Sequence, residues 1–148
     1  MGKIGRFTVS EMYMMQIRAD RVVRFMILKS LEPYGLTIME WQTLCAVDDG
    51  PDNGLSMSRV ASMLDITLPQ VSALVANLID KKLVKQRTNR KDRRNRYLSL
   101  TKKGKNYKSG ADSNVEVATS KLFAVVQPGQ LSEYQKTINQ LATGFNVN

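Results

Sequence analysis

The segment Ser56–Leu100 reads SMSRVASMLDITLPQVSALVANLIDKKLVKQRTNRKDRRNRYLSL, and its hydrophobic period changes part-way through. The first half has helical spacing in two short stretches, which begin after the N-cap candidates Ser56 and Thr67. The apolar positions are Met57, Val60, Ala61 and Leu64 in the first helix, and Val71, Leu74, Val75 and Leu78 in the second, which extends to about Lys81. Two short helices that meet across a tight turn predict a helix-turn-helix.

After this pair of helices the pattern becomes that of β-strands. Residues 83–88 and 95–100 are predicted to form two strands, joined by the polar connection Asn89–Arg94. Four of the six residues in that connection are Arg or Lys. A cationic hairpin placed directly after a helix-turn-helix predicts a wing.

Helices are also predicted on both sides of this segment. Thr8–Glu11 and Thr37–Glu40 each fit a capping box, and Pro128-Gly129 separates the last two helices of the chain. Gly104 and Gly110 each cost a helix roughly 1 kcal/mol relative to Ala. The helix that carries them is therefore expected to fray or bend in its first turns.

The terminal helices carry narrow apolar stripes, which pack either within one subunit or between two. The stripes are Met12, Met15, Ala19, Val22 and Met26; Ala111, Val115, Ala118, Leu122 and Val125; and Leu131, Tyr134, Ile138, Leu141 and Phe145. This is more apolar surface than a small winged unit needs, so a homodimer is the expected assembly. The predicted fold is mainly α with a small β wing. It is a single domain, 1–148, with a winged helix-turn-helix core at 36–100 and helical dimerisation regions at 8–33 and 101–148.

Composition excludes several classes of function. The chain has 148 residues, 43% of them hydrophobic, with one cysteine and no histidine. A histidine-based catalytic triad, a zinc hydrolase and an internal disulfide framework are therefore excluded, and no metal or cofactor is expected. No apolar run approaches the roughly 18 residues of a membrane span, and the first residues do not resemble a secretory signal. A cytoplasmic protein with no membrane partner is expected.

The positive charge is concentrated in one segment. Residues 81–108 hold 13 of the 22 basic residues and a single acid, Asp92, which gives a net charge of +12, and the rest of the chain carries −3. A concentrated field of this kind indicates a polyanionic partner, either nucleic acid or an anionic membrane surface. Membrane binding would require a basic amphipathic helix rather than a basic hairpin. Double-stranded DNA is the expected partner.

Motifs across about half of the chain resemble the MarR family of bacterial transcriptional regulators. They are Leu36-Thr37 with Trp41 and Leu44, residues 57–66, 71–75 and 78–84, the connection 89–94, and Leu98-Ser99-Leu100-Thr101 followed by Gly104. The resemblance implies a homodimer that binds palindromic operator DNA, and many such proteins release it when a small, often aromatic, ligand binds. Ala73 and Asn77 stand where many members carry Arg, so strong reading of guanine is not expected.

The helical period turns one side of the second short helix outward, namely Gln70, Ser72, Ala73, Asn77 and Lys81. Gln70 and Asn77 are amides that can pair with adenine, and Ala73 can meet a thymine methyl group, so an operator rich in A·T pairs is predicted. Thr67, Ser72 and Lys81 are assigned to phosphates. The alternative is that the two amides are ordinary solvated side chains.

In the wing, the resemblance places the family's tip arginine at Arg94, which is expected to enter a minor groove. Asp92 resembles the tip acid that steadies this arginine, and it is equally compatible with an ordinary Asx-turn. Phosphate neutralisation is assigned to Arg90, Lys91, Arg93 and Arg96.

Other interpretations have less support. Tyr34, Trp41 and the methionines of the first helix line either a ligand pocket or an ordinary core. Cys45 is a candidate redox sensor, but it lies on an apolar helix face, and the nearest charges in sequence, Glu40 and Asp48, would not lower the pKa of its thiol. Residues 48–54 superficially resemble a calcium loop, but Pro51 and Val60 occupy positions that need ligands. An architectural DNA-binding protein remains the alternative function, whereas a nuclease lacks clustered carboxylates near the basic segment.

Overall fold

The computed structural model describes residues 3–4, 6–88 and 96–144, which form six α-helices and five short strands. The strands are β1 Lys3–Ile4, β2 Phe7–Thr8, β3 Leu55–Ser56, β4 Val84–Thr88 and β5 Arg96–Leu100. The helices are α1 Val9–Leu31, α2 Ile38–Asp48, α3 Met57–Leu64, α4 Leu68–Asp80, α5 Lys102–Phe123 and α6 Pro128–Gly144, with a 3₁₀ turn at Glu32–Tyr34. The predicted fold class, mainly α with a small β wing, is confirmed.

The helices begin where the capping boxes predict. At α1 the Thr8 N–H donates to Glu11 Oε2 at 2.8 Å, and the Glu11 N–H donates to Thr8 Oγ1 at 3.2 Å. At α2 the Thr37 N–H donates to Glu40 Oε2 at 2.9 Å, and the Glu40 N–H donates to Thr37 Oγ1 at 3.1 Å. Each box satisfies two backbone groups that the first helical turn leaves without a partner.

The wing is an antiparallel three-stranded sheet in the order β3-β5-β4. The register pairs Val84 with Leu100 and Gln86 with Leu98. Val84, Leu98 and Leu100 are buried, and Gln86 Nε2 lies 3.5 Å from Met57 Sδ, so this face of the sheet packs on α3. Strand β3 was not predicted because two residues carry no readable period.

The core lies where the wing sheet meets α2, α3, α4 and the first half of α5. Its fully buried side chains include Leu31, Leu44, Val60, Val71, Leu78, Leu83 and Leu98. Among the described residues no single helix is long and apolar enough to cross a membrane. Helices α3 and α4 reach that length only when they are counted together, and they are bent relative to each other. Their apolar side lies in this core.

The terminal helices are much less covered than the core. Helix α1 packs along α5, whereas α6 makes only weak contacts with the other described elements, and none of its described residues is buried. Most of the predicted α1 stripe is exposed, including Met12, Met15 and Val22. These helices leave a large apolar surface without a partner in the single chain.

Helix α5 is continuous through both glycines, so the expectation that its first turns fray is wrong, whereas the alternative expectation of a bend stays a prediction. Gly104 is buried, and a Cβ built on it would collide with the carbonyl oxygen of Leu83. A Cβ on Gly110 would collide with the Tyr34 hydroxyl. The glycines lower helix propensity but allow α5 to approach the end of α4 and the 3₁₀ turn closely.

Helix α4 ends in a Schellman motif with an unusual residue in its left-handed position. The Leu83 N–H donates to the Leu78 carbonyl at 2.9 Å, the Lys82 N–H donates to the Ile79 carbonyl at 2.8 Å, and Lys82 has φ of 60°. Glycine normally occupies this position because a Cβ is unfavourable there.

We expect Lys82→Gly to raise the free energy of unfolding by about 1 kcal/mol, because it removes the left-handed strain without removing a described contact. Urea unfolding at fixed protein concentration measures the change. Lys82→Ala is the control, since it removes the side chain but keeps Cβ and is expected to gain nothing. Equal stabilisation by both substitutions would show that the side chain, not the backbone strain, is responsible.

Candidate nucleic-acid interface

Helices α3 and α4 form the predicted helix-turn-helix. The chain bends by 109° between them, which is typical of this motif. Asp65 adopts the left-handed conformation, with φ of 52°, which Asp tolerates better than most residues. The Ile66 N–H then donates to the Ala61 carbonyl at 3.0 Å. The turn therefore sets α4 across α3, with one side of α4 on the core.

The other side of α4 faces outward and carries five of the twelve residues that the sequence assigns to DNA. The buried side consists of Val71, Val75 and Leu78. The exposed assigned residues are Thr67, Gln70, Ser72, Ala73 and Asn77. The structure thus leaves two amides, two hydroxyls and a methyl group exposed around the outward side of the helix. Amides and hydroxyls can form hydrogen bonds with base edges or phosphates in a major groove, and a methyl group can contact the methyl group of thymine.

Gln70 is partly committed to the start of its own helix. Its Oε1 accepts from the Thr67 N–H at 2.9 Å and from Thr67 Oγ1 at 2.9 Å. A bidentate contact with adenine uses both the oxygen and the NH₂ group of an amide, so only the NH₂ of Gln70 is open in this conformation. Asn77 lies on the exposed face beyond the cap, which makes it the better placed amide for reading a base.

Lys81 has internal partners, in contrast to its assignment to phosphate. Its Nζ donates to Glu40 Oε1 at 2.8 Å, to Glu40 Oε2 at 2.9 Å and to the Gly35 carbonyl at 2.8 Å. Glu40 is 3% exposed, and the sequence analysis identified it only as a capping residue. Nothing local in the sequence indicates this contact, because 41 residues separate the two side chains.

The ion pair keeps Glu40 charged despite its burial. Burial is the largest influence on the pKa of Glu40 and raises it, but the hydrogen bonds and charge of Lys81 and the Thr37 N–H together leave the pKa below its usual value. The stabilisation from this carboxylate is therefore present above the pKa of an unfolded glutamate, and it is lost as the pH falls through the lower folded-state pKa.

The residues assigned to the wing divide into two groups. Arg96 is exposed at the start of β5, opposite Thr88 of β4. The remaining assigned residues, Arg90, Lys91, Asp92, Arg93 and Arg94, lie outside the described residues. Their assignment to a minor groove and to phosphates stays a prediction, which the structure supports only by placing strands β4 and β5 on either side of them.

The outer face of the wing sheet carries cations to which the sequence analysis gave no separate role. Lys85 and Arg87 are exposed on β4 and lie on the opposite face from the one that packs on α3. A polar cleft of about 230 Å³ separates this face from the loop Gly50–Gly54, and Lys105 of α5 also lines it. The net charge of the segment 81–108 indicates that these cations contribute to a binding surface, but a sum of charges does not indicate which face of the sheet they occupy.

Cys45 lies in a cluster that argues against a redox sensor. Trp41 Nε1 donates to Asp112 Oδ1 at 2.7 Å, and Lys108 Nζ lies 2.8 Å from Asp112 Oδ2 and 3.3 Å from Asp48 Oδ2. Burial, followed by the charge of Asp112, raises the pKa of the Cys45 thiol to about 11. A thiol with such a pKa forms little thiolate at neutral pH and reacts slowly with oxidants.

Both the sequence and the fold of the chain have counterparts among known proteins. A sequence model described as the MarR family matches residues 34–95, which include α2, the helix-turn-helix and strands β3 and β4. The matched stretch is 62 of the 148 residues, and over it the chain is similar to the MarR family. No curated protein sequence matches the chain.

Solved structures of MarR-family proteins share this fold over nearly the whole chain. A transcriptional regulator (MarR family) from Rhodococcus sp. RHA1 has a TM-score of 0.83 at 20% identity, covering 97% of this chain and 100% of the other. CouR from Rhodococcus jostii RHA1, bound to p-coumaroyl-CoA, has a TM-score of 0.83 at 21% identity with the same coverage. MepR from S. aureus, in complex with DNA, has a TM-score of 0.80 at 21% identity, covering 95% and 100%. The protein therefore has the fold of MarR-family transcriptional regulators.

Proposed function

We propose that this protein is a MarR-family transcriptional repressor that binds double-stranded DNA sequence-specifically. The observation that carries the proposal is the exposed side of α4, which includes Asn77 and is followed by a hairpin within a segment of net charge +12. The concentrated charge supplies affinity for phosphates, and the exposed amide supplies discrimination between bases. The proposal assigns no catalytic role and no cofactor, and it places the protein in the cytoplasm. That MepR was solved in complex with DNA agrees with this partner.

We also propose that the protein binds DNA as a homodimer built from its terminal helices. The exposed large apolar side chains of these regions are Phe7, Val9, Met12, Tyr13, Met14, Met15, Val22, Phe25, Leu28, Val117, Val125, Tyr134 and Leu141. An open groove of about 810 Å³ between α5 and α6 is lined mainly by apolar surface, including Phe123, Leu131 and Ile138. Apolar patches of this extent on one chain are typical of protein interfaces.

Two-fold symmetry gives the proposed operator its form. A dimer presents two α4 helices to successive major grooves, so the site is a palindrome with half-sites about 10 base pairs apart. We extend the proposal to a small aromatic effector, because CouR, which shares the fold, was solved with p-coumaroyl-CoA bound. Such a ligand releases DNA only if it binds better to a dimer in which the helix spacing differs.

Selection of bound duplexes from a random pool tests the proposal. A palindrome enriched over successive rounds is expected, with A·T pairs where Asn77 contacts the major groove. Enrichment of bent or flexible sequences without a palindrome would instead indicate an architectural protein. A pool that shows no retention at low salt would overturn DNA binding altogether.

Two substitutions are expected to act differently on the selected operator. Asn77→Ala is expected to remove about 1 to 3 kcal/mol of discrimination at one position of each half-site, with a smaller effect on affinity for unrelated DNA. Arg94→Ala is expected to weaken binding to all sequences, because a guanidinium in the minor groove contributes mainly through charge. Fluorescence anisotropy with operator and scrambled duplexes measures both effects. A uniform loss for Asn77→Ala would mean that Asn77 contacts only phosphate.

A further inference from the structure

The ion pair between Glu40 and Lys81 joins α2 to the end of α4, and the proposed function requires α4 to keep a fixed orientation relative to the rest of the chain. Glu40 lies in the first turn of α2, and Lys81 is the C-terminal cap of α4. Gly35, whose carbonyl also accepts from Lys81, ends the 3₁₀ turn that follows α1. One ammonium group therefore connects the end of the DNA-facing helix to the corner between α1 and α2.

The contacts of this ammonium group are complete. A lysine has three N–H donors, and those of Lys81 have three acceptors within 2.9 Å, namely both oxygens of Glu40 and the Gly35 carbonyl. Releasing Lys81 to a phosphate would leave the buried carboxylate of Glu40 without its partner, which is unfavourable. Lys81 is therefore better suited to holding α4 than to contacting DNA.

A second contact secures the same point from the other side. Lys103 of α5 donates from its Nζ to the Lys81 carbonyl at 3.0 Å. Lys103 is exposed, whereas Glu40 is buried, so the contact through Glu40 is the better shielded from solvent and salt. The end of α4 is thus fixed to both α2 and α5, and in the link to α2 the Glu40 carboxylate is shielded while the Lys81 side chain is 37% exposed.

We propose that Glu40 and Lys81 are positioning residues that set the direction of α4 and, through it, the half-site spacing that the dimer accepts. The proposal rests on the proposed function, because spacing has meaning only for a dimer on DNA. Helix α4 has 13 residues and is roughly 20 Å long, so a rotation of about 10° about one end moves the other by about 3 Å, close to one base pair. A small loss of orientation therefore changes which spacing fits.

The test uses the double variant Glu40→Gln/Lys81→Met in the full-length protein. Gln retains an oxygen for the Thr37 N–H, and Met retains most of the aliphatic stem of Lys. The α2 cap is therefore kept and no unpaired charge is buried, so neither effect confounds the result. The matched control is Glu32→Gln/Lys29→Met, which removes the same two charges from an exposed pair at 2.8 Å that does not involve α4. Thermal unfolding by circular dichroism checks that both variants remain folded.

Affinity is then measured for palindromes whose half-sites are moved apart or together one base pair at a time. We expect the native protein and the control variant to lose about tenfold or more in affinity per base pair away from the optimum. The Glu40/Lys81 variant is expected to lose less than about threefold per step, while its affinity for a single half-site stays within about threefold of native. An unchanged, narrow spacing profile in a folded variant would overturn the proposal.

A measurement without DNA separates this proposal from the proposed function. Spin labels are attached to Ala76→Cys on α4 and Ser113→Cys on α5, both exposed positions, in a Cys45→Ala background, and labelled chains are diluted with unlabelled ones. Pulsed electron paramagnetic resonance is expected to give one narrow distance distribution for the native pair and a broadened or shifted one for the double variant. If the native protein binds no DNA, the proposed function fails, and this distance alone decides whether the pair orients α4. An unchanged distribution would overturn the positioning role.

Discussion

Gly104→Ala is expected to lower the free energy of unfolding by about 3 kcal/mol, although the same change in most helices is stabilising. An added Cβ would collide with the Leu83 carbonyl oxygen, and the Leu83 carbonyl carbon would lie 2.9 Å away. That carbonyl cannot move aside easily, because it accepts from the Thr101 N–H at 3.0 Å and from Thr101 Oγ1 at 3.2 Å. Leu83 itself is fully buried. The clash is with backbone, so it must be relieved by separating α5 from the wing.

Urea denaturation measures this effect, with Gly129→Ala as the matched control. Gly129 lies in α6, and a Cβ there would meet nothing within 4 Å, so the helix preference for Ala is expected to raise stability by up to about 1 kcal/mol. The two substitutions are chemically identical and differ only in their surroundings. A Gly104→Ala protein as stable as the native one would mean that α5 does not approach Leu83 this closely in solution.

The elements with strong local signals were predictable from the sequence. The capping boxes at Thr8 and Thr37 place the starts of α1 and α2 correctly, because each box is complete within four residues. The helix-turn-helix and the wing strands follow from changes in hydrophobic period over 45 residues of continuous sequence. Strand β3 and the β1–β2 hairpin were missed, since strands of two residues are defined by their partners rather than by a pattern.

The features that the sequence could not indicate depend on contacts between distant residues. Gly104 has low helix propensity, and only the approach of Leu83 explains why a glycine stands there. Lys81 belongs to a run of cations and occupies an outward helical position, so helical periodicity assigns it to DNA. Its observed partner, the buried carboxylate of Glu40, is 41 residues away in sequence, so no local pattern indicates this contact. For Gln70 the pattern was compatible with both a cap and a base contact. Pattern alone does not determine which one forms.

Affinity for the operator is expected to fall by about 10³- to 10⁵-fold when monovalent salt rises from about 50 to about 200 mM. The reason is counterion release: three to five phosphates neutralised by each subunit correspond to a slope of log affinity against log salt of about −5 to −9 for the dimer. Arg90, Lys91, Arg93 and Arg96 are the assigned contacts, and each lies within the segment of net charge +12. Lys81 does not enter this count because its donors are occupied.

Single substitutions make the salt measurement specific to named residues. Arg96→Ala removes one phosphate contact from each subunit, so the slope for the dimer is expected to become less negative by about 2. Lys29→Met also removes one positive charge per subunit, but Lys29 is paired with Glu32 at the end of α1, and its slope is expected to match that of the native protein. Equal slopes for the native protein and both variants would mean that Arg96 does not contact phosphate. A native slope near zero would mean that the concentrated charge contributes little to DNA affinity, and the proposed function would then lack its main source of binding energy.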